Sequence, residues 1–209
     1  MEIEAFILIG GRSSRLGRDK AFVKIGGTTL AERALDTVRE SGIVSKTTFV
    51  AGSETQFAIE ALALGATFIF DLSEGRGPVG GLHAALSYAQ TDWIFLLACD
   101  HPLVSFELLR VLAEGISEEV GAVVPAQPDG RLQPLCAFYN VEAASPIVNE
   151  IIQAPRVPPM SEIVDSLRPR IVTHAEYSYL ASSDHFFSNL NSPDEMKQIE
   201  ELWLRMNTD

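Results

Sequence analysis

The stretch Ala5-Phe6-Ile7-Leu8-Ile9-Gly10-Gly11-Arg12-Ser13-Ser14-Arg15-Leu16-Gly17-Arg18-Asp19-Lys20 is an apolar run that passes into a basic, glycine-rich loop. Near-continuous apolar residues are how a strand buried on both faces reads, so Ala5 to Ile9 is expected to be a central strand. Glycines at 10, 11 and 17 permit positive φ and close backbone approach, so that successive amides can point at phosphate oxygens. Lys20 adds a mobile point charge, and Arg15 a planar fork that fits a phosphate. The loop is not a Walker A motif: five residues separate Gly11 from Gly17, and Arg18, not a lysine, follows.

Working outward, further strand-like runs are Thr47 to Ala51, Ala66 to Phe70, Trp93 to Ala98 and Val120 to Val124. Helical segments with start and stop signals lie between them. Thr29-Leu30-Ala31-Glu32 and Ser53-Glu54-Thr55-Gln56 are capping-box patterns, closed by Gly42 and Gly65. Val79 to Gln90 and Phe106 to Glu114 read as two more helices, the second capped by Ser105. Ser192-Pro193-Asp194-Glu195 opens a last helix with Met196, Ile199, Leu202, Trp203 and Met206 on one face. This alternation predicts a three-layer, doubly wound α/β fold with a mostly parallel sheet. A turn at Pro128-Asp129-Gly130 followed by a strand over Leu132 to Asn140 predicts an antiparallel excursion. Residues 141 to 183 give little pattern, because Pro155, Pro158, Pro159 and Pro169 divide them.

At 209 residues, with 46% hydrophobic and 21% charged residues, the chain suits one domain over residues 1–209 with a substantial core. No apolar run has the roughly 18 residues of a membrane span, and the acidic start is unlike a secretory signal. Cys99 and Cys136 form neither a disulfide framework nor a zinc site, and a cytoplasmic protein is expected. A net charge of −12 argues against nucleic acid or an anionic membrane as partner. Yet five of the sixteen cations (Arg12, Arg15, Arg18, Lys20, Lys24) fall within thirteen positions. Charge alone fits a solvated run as well as a ligand site; the interleaved glycines favour a small anion.

In open α/β sheets ligands bind beyond the C-terminal strand ends. Three unusual segments fall there: Gly10 to Lys20, Asp71 to Gly81, and Cys99 to Pro102. Gly75-Arg76-Gly77-Pro78-Val79-Gly80 matches G-x-G-x-x-G, but residues 71 to 74 separate it from its strand and Pro78 removes an amide. A turn that admits a base or ribose is expected there, not a dehydrogenase fingerprint. Asp71 suits either hydrogen bonds from base or ribose or a turn cap. Asp100, delivered to the rim by the run Trp93 to Cys99, suits a Mg²⁺ ion shared with phosphates. His83, His101, His174 and His185 lack metal-ligand spacing, and His101 reads as a turn residue.

Together these segments resemble the molybdenum cofactor guanylyltransferases, within the nucleotide-diphospho-sugar-transferase-like folds. Leu8-Ile9-Gly10-Gly11, Arg15-Leu16-Gly17 and Asp19-Lys20-Ala21 are similar to that family's opening Leu-Ala-Gly-Gly, Arg-Met-Gly and Asp-Lys-Ala. Gly77-Pro78-Val79-Gly80-Gly81-Leu82, Cys99-Asp100-His101-Pro102, Gln133-Pro134-Leu135 and Phe187-Ser188-Asn189-Leu190-Asn191-Ser192-Pro193 resemble its later motifs, in order. Ile9 in place of a small Ala, and Ala51 where some members carry Asn, are departures near the expected base and ribose; the opening Gly-Gly favours the guanylyl branch. The resemblance implies Mg²⁺-dependent transfer of GMP from GTP to molybdopterin. Arg15, Lys20 and Asp100 would be catalytic, with Asp100 on the metal. Leu8, Ile9, Gly10, Gly11, Asp71, Gly77 and Pro78 would join Lys20 and Asp100 around the nucleotide, and Asn189 and Asn191 would face the acceptor. It also leaves room for proteins that deliver the cofactor. The rivals are an enzyme of the same fold using CTP or a sugar phosphate, and a non-catalytic nucleotide-binding regulator.

Overall fold

The computed structural model describes residues 1–9, 20–52, 64–71, 73, 75–190 and 192–206. The Gly10–Asp19 part of the first loop, the helix expected from Ser53, and Asn191 therefore lie outside the described residues, as do the side chains of Pro193 and Met206. Strands β1 (Ile3–Leu8), β4 (Lys46–Ala51), β5 (Thr67–Phe70), β6 (Trp93–Ala98), β7 (Ala122–Pro125), β8 (Cys136–Asn140) and β9 (Arg170–Val172) form one seven-stranded sheet. Its order is β5-β4-β1-β6-β8-β7-β9. A small hairpin of β2 (Lys24–Ile25) and β3 (Thr28–Thr29) stands apart from it. Only β8 runs against its neighbours, antiparallel to both β6 and β7, which is the expected excursion.

β1 and β6 are buried along their whole length, as their unbroken apolar runs require. Alternate residues of β1 serve opposite faces. Ile3, Ala5 and Ile7 pack with the helices Leu30–Ser41, Phe106–Ala113 and Pro193–Met206. Phe6 and Leu8 pack with Pro78–Tyr88, Val141–Gln153 and Met160–Ser166. Three layers follow. At the other end of β1, buried Glu4 accepts from the Gln90 amide at 2.7 Å and pairs with Lys46 at 3.5 Å, tying that rim together.

The capping readings are borne out where they are described. Thr29 Oγ1 accepts from the Glu32 amide at 3.1 Å, and Glu32 accepts from the Thr29 amide at 2.7 Å. Gly42 ends that helix at φ +68°. Ser105 caps Phe106–Ala113 and Ser192 Oγ accepts from the Glu195 amide at 3.3 Å.

Several boundaries are corrected. The strand expected over Leu132 to Asn140 begins only at Cys136. Pro134 has no N–H for a ladder, and Leu132 makes just an isolated bridge to Ala126. The helix expected from Val79 begins at Pro78, whose missing amide suits a first turn, and stops at Tyr88. The strand expected from Val120 starts at Ala122. Residues 141 to 183, unpatterned in sequence, hold the helices Val141–Gln153, Met160–Ser166 and His174–Tyr177 and edge strand β9.

Candidate functional site

The chain runs from β1 outward to β4 and β5, then crosses to β6 on the other side of β1. That reversal puts the topological switch point between the ends of β1 and β6, where open sheets of this kind leave a crevice. Leu8 and Ala98 are partners there. Backbone bonds continue past the strands: the Cys99 amide donates to Leu8 at 3.1 Å, Ile9 to Val50 at 2.9 Å and Asp71 to Ala51 at 2.7 Å. Asp71 directly follows β5 and Asp100 stands two residues past β6, so both lie beyond the C-terminal strand ends. Three inter-strand steps of about 4.8 Å separate their strands, roughly 14 Å in all.

The rim brings together the two residues on which the sequence reading depends most. Lys20, on a short 3₁₀ turn over Lys20–Phe22, places Nζ 2.8 Å from Asp100 Oδ2. The two side chains keep 13% and 26% exposure, so water screens the pair only in part. Asp100 Oδ1 is buried and, among the described residues, accepts no hydrogen bond. His101 Nε2 lies 3.9 Å from it, beyond hydrogen-bonding range.

His101, which reads as a turn residue, does lie in the turn region after β6, where its amide donates to Ala98 at 3.4 Å. It is buried, its Nδ1 has no hydrogen-bond partner among the described residues, and its ring meets Phe187 edge-on at 5.8 Å. Burial pushes its pKa below 6.5, with Asp100 opposing and Lys20 reinforcing, so the ring is held neutral. Phe187 belongs to the segment leading to Asn189, so this contact carries the closing motif to the residue after Asp100. Asn189 itself is exposed. Sequence gave no local signal for the pairing; the Phe187 motif was legible only as part of the resemblance.

On the β5 side, the turn alternative for Asp71 is the one seen. Its Oδ1 accepts from the Ser73 amide at 2.8 Å, so it does close a turn. It also lies on the first turn of the Pro78–Tyr88 helix: a methyl group at Gly80 would stand 2.6 Å from Oδ2. Gly80 is thus what lets the carboxylate approach that backbone. Burial raises the Asp71 pKa, opposed by the Ser73 amide and by His83. Gly81 likewise admits Leu8, whose side chain would be 2.8 Å from an added methyl. Gly77, at φ +58°, and Pro78 are exposed at this helix start. Leu8 and Ile9 are buried beneath the rim. Arg15, Gly10, Gly11 and Asn191 lie outside the described residues.

Sheet order, a single reversed strand and a first-loop lysine bound to the acid after β6 define an α/β protein of the nucleotidyltransferase fold. Residues 5–167 match the MobA-like NTP transferase domain, and the chain belongs to that family. It is 28% identical to a molybdenum cofactor guanylyltransferase of Desulfosudis oleivorans, over 95% of this chain and 94% of that one. A probable molybdenum cofactor guanylyltransferase of Methanocaldococcus jannaschii is 29% identical, over 95% of this chain and 98% of the relative. The crystal structure of molybdopterin-guanine dinucleotide biosynthesis protein A from Archaeoglobus fulgidus superposes with a TM-score of 0.82 at 27% identity, covering 97% of this chain and all 100% of that one. Among the described residues no helix is long and apolar enough to cross a membrane.

Proposed function

We propose that the chain transfers GMP from GTP to the terminal phosphate of molybdopterin and releases pyrophosphate, with Mg²⁺ held at Asp100. The observation that carries this reading is the Lys20–Asp100 contact at the switch point, which joins the end of the basic loop to the acid after β6. The family and the names of the relatives support this choice of substrates.

The residues present fit the metal. Asp100 offers hard oxygen donors: its side chain keeps 26% exposure and Oδ1 is buried, so Oδ2 is the oxygen that an ion can reach. No group of three or more His, Cys, Asp or Glu suited to an ion exists among the described residues. One carboxylate, phosphate oxygens and waters is the usual donor set for Mg²⁺ on a nucleotide. Bound there, the ion would supply charge neutralisation on the phosphates.

The chain's own residues have positioning and charge stabilisation as their task. Lys20, Arg15 and the amides of residues 10 to 20 hold the phosphates. Asp71, with Leu8, Ile9, Gly77 and Pro78 around it, receives the base and ribose, about three strands away from Asp100. Asn189 and Asn191 orient the acceptor. A molybdopterin phosphate oxygen forms a bond to the α-phosphorus as the bond to the bridging oxygen breaks, and the electron pair leaves with pyrophosphate. A phosphate monoester is already a nucleophile, so no protein base is required. His101, neutral and buried, serves as the wall behind Asp100.

Pyrophosphate release measured with molybdopterin and each of GTP, CTP, UTP and ATP tests the reading. GTP should dominate; turnover with CTP alone, or none with any nucleotide, would overturn it. Lys20→Ala should weaken Mg·GTP binding by about 10- to 100-fold, the worth of one or two charge-assisted hydrogen bonds. An unchanged dissociation constant by calorimetry would remove Lys20 from the site.

A further inference from the structure

We infer that Lys20 and the divalent cation are alternative occupants of Asp100: without nucleotide the ammonium holds the carboxylate, and it yields the oxygen only when phosphates draw it away. This rests on the nucleotide reading above and adds an order to it. Metal and nucleotide enter as one complex, and neither is well received alone.

Three observations carry it. Lys20 Nζ is already in hydrogen-bonding contact with Oδ2, at 2.8 Å. The other oxygen, Oδ1, is sealed from solvent, so whatever exposure the Asp100 side chain keeps is not there. An arriving ion therefore meets the oxygen that Lys20 occupies. Finally, no second acid, histidine or cysteine cluster among the described residues could hold the ion while it waits.

The charges make joint occupation unfavourable. An ion about 2.1 Å from Oδ2 would stand within about 5 Å of the ammonium, in a place where water screens poorly. Triphosphate resolves the conflict. It gives Lys20 an anion of its own and gives the metal the further oxygens that it needs. Metal-free nucleotide has the opposite difficulty, because the lysine meant for its phosphates is engaged and a carboxylate faces them.

A double-mutant cycle on metal-free GTP binding, measured by calorimetry in excess chelator, tests the exchange. Asp100→Asn should tighten metal-free GTP about tenfold, by releasing Lys20. Lys20→Met should change metal-free affinity less than about threefold in the parent chain but at least about tenfold in the Asp100→Asn background. Equal effects of Lys20→Met in the two backgrounds would overturn the inference, because mere loss of a negative charge predicts additivity. The unmutated chain supplies an independent readout. Mn²⁺ followed by electron paramagnetic resonance should stay free with protein alone, and with GTP added should give a protein-bound signal beyond that of Mn·GTP in buffer. Saturable Mn²⁺ binding without nucleotide, lost in Asp100→Asn, would also overturn it. Failure of the parent chain to bind Mg·GTP at all would instead overturn the proposed function, a result distinct from a binding chain whose cycle is additive.

Discussion

Asp100→Ala is expected to lower GTP-dependent pyrophosphate release by about a thousandfold, the size of effect seen when a group stabilising transition-state charge is removed. The loss should fall on kcat, since the interaction grows as the bridging bond breaks. Folding should survive. Asp100 sits on the turn after β6, outside the ladder, and its removal eliminates a buried oxygen that had no hydrogen bond among the described residues. Against that gain stands the loss of the partner for Lys20, whose side chain is 13% exposed. The two effects oppose each other, so the melting temperature should move by no more than about 3 °C, equivalent to about 1 kcal/mol in a chain of this size. Near-normal turnover would remove Asp100 from the chemistry. A collapse of the melting temperature would reassign it to structure.

What could be read from the sequence, and what could not, divides along a physical line. β1 and β6 were legible because strands covered on both faces leave no polar alternation, and Asp100 because an acid directly after such a run must emerge at the rim. Thr29 and Ser105 were legible because capping is local chemistry. The Val141–Gln153 helix was missed although Pro155, Pro158, Pro159 and Pro169, which break the segment, all lie beyond it; Pro146, in its second turn, forgoes only the bond to the Glu142 carbonyl. The helix holds through Ala144, Val148 and Ile152, all buried, and through Asn140, whose side chain caps it. Edge strand β9 has three residues, too few for a period to show. The burial of His101 had no local signal either, since the ring it meets, Phe187, comes from the far end of the chain. In the site, then, the charged groups announced themselves and the apolar wall behind them did not.

The second large effect is expected far from that wall, at Gly26. Gly26 and Gly27 turn the β2–β3 hairpin with φ values of +58° and +90°, the two positive angles that a primed two-residue turn needs. Trp203 of the last helix lies directly on this turn: a methyl group at Gly26 would overlap its ring. The guanidinium of Arg33 covers the ring at 4.6 Å and donates to the Ile25 carbonyl, so helix, ring and turn are one packed unit. Gly26→Ala should therefore cost about 1 kcal/mol in left-handed backbone strain and about 2 kcal/mol more as the ring is displaced. A fall of roughly 6–12 °C in melting temperature is expected. Trp203→Ala alone should cost about 2–3 kcal/mol, because the ring is only partly buried. The double variant should cost less than the sum, since removing the ring removes the three nearest atoms that the new methyl would meet. Strict additivity would mean that the strain of the turn, and not the ring, decides. The hairpin is also tied to the site: the Val23 amide donates to Lys20 at 3.1 Å, and the Leu30 amide returns to Val23 at 3.0 Å. Displacing Trp203 should thus loosen the turn that aims Lys20 at Asp100, and Gly26→Ala should weaken Mg·GTP binding although it touches no ligand. Unchanged affinity in a destabilised Gly26→Ala chain would show that the hairpin supports the fold without supporting the lysine.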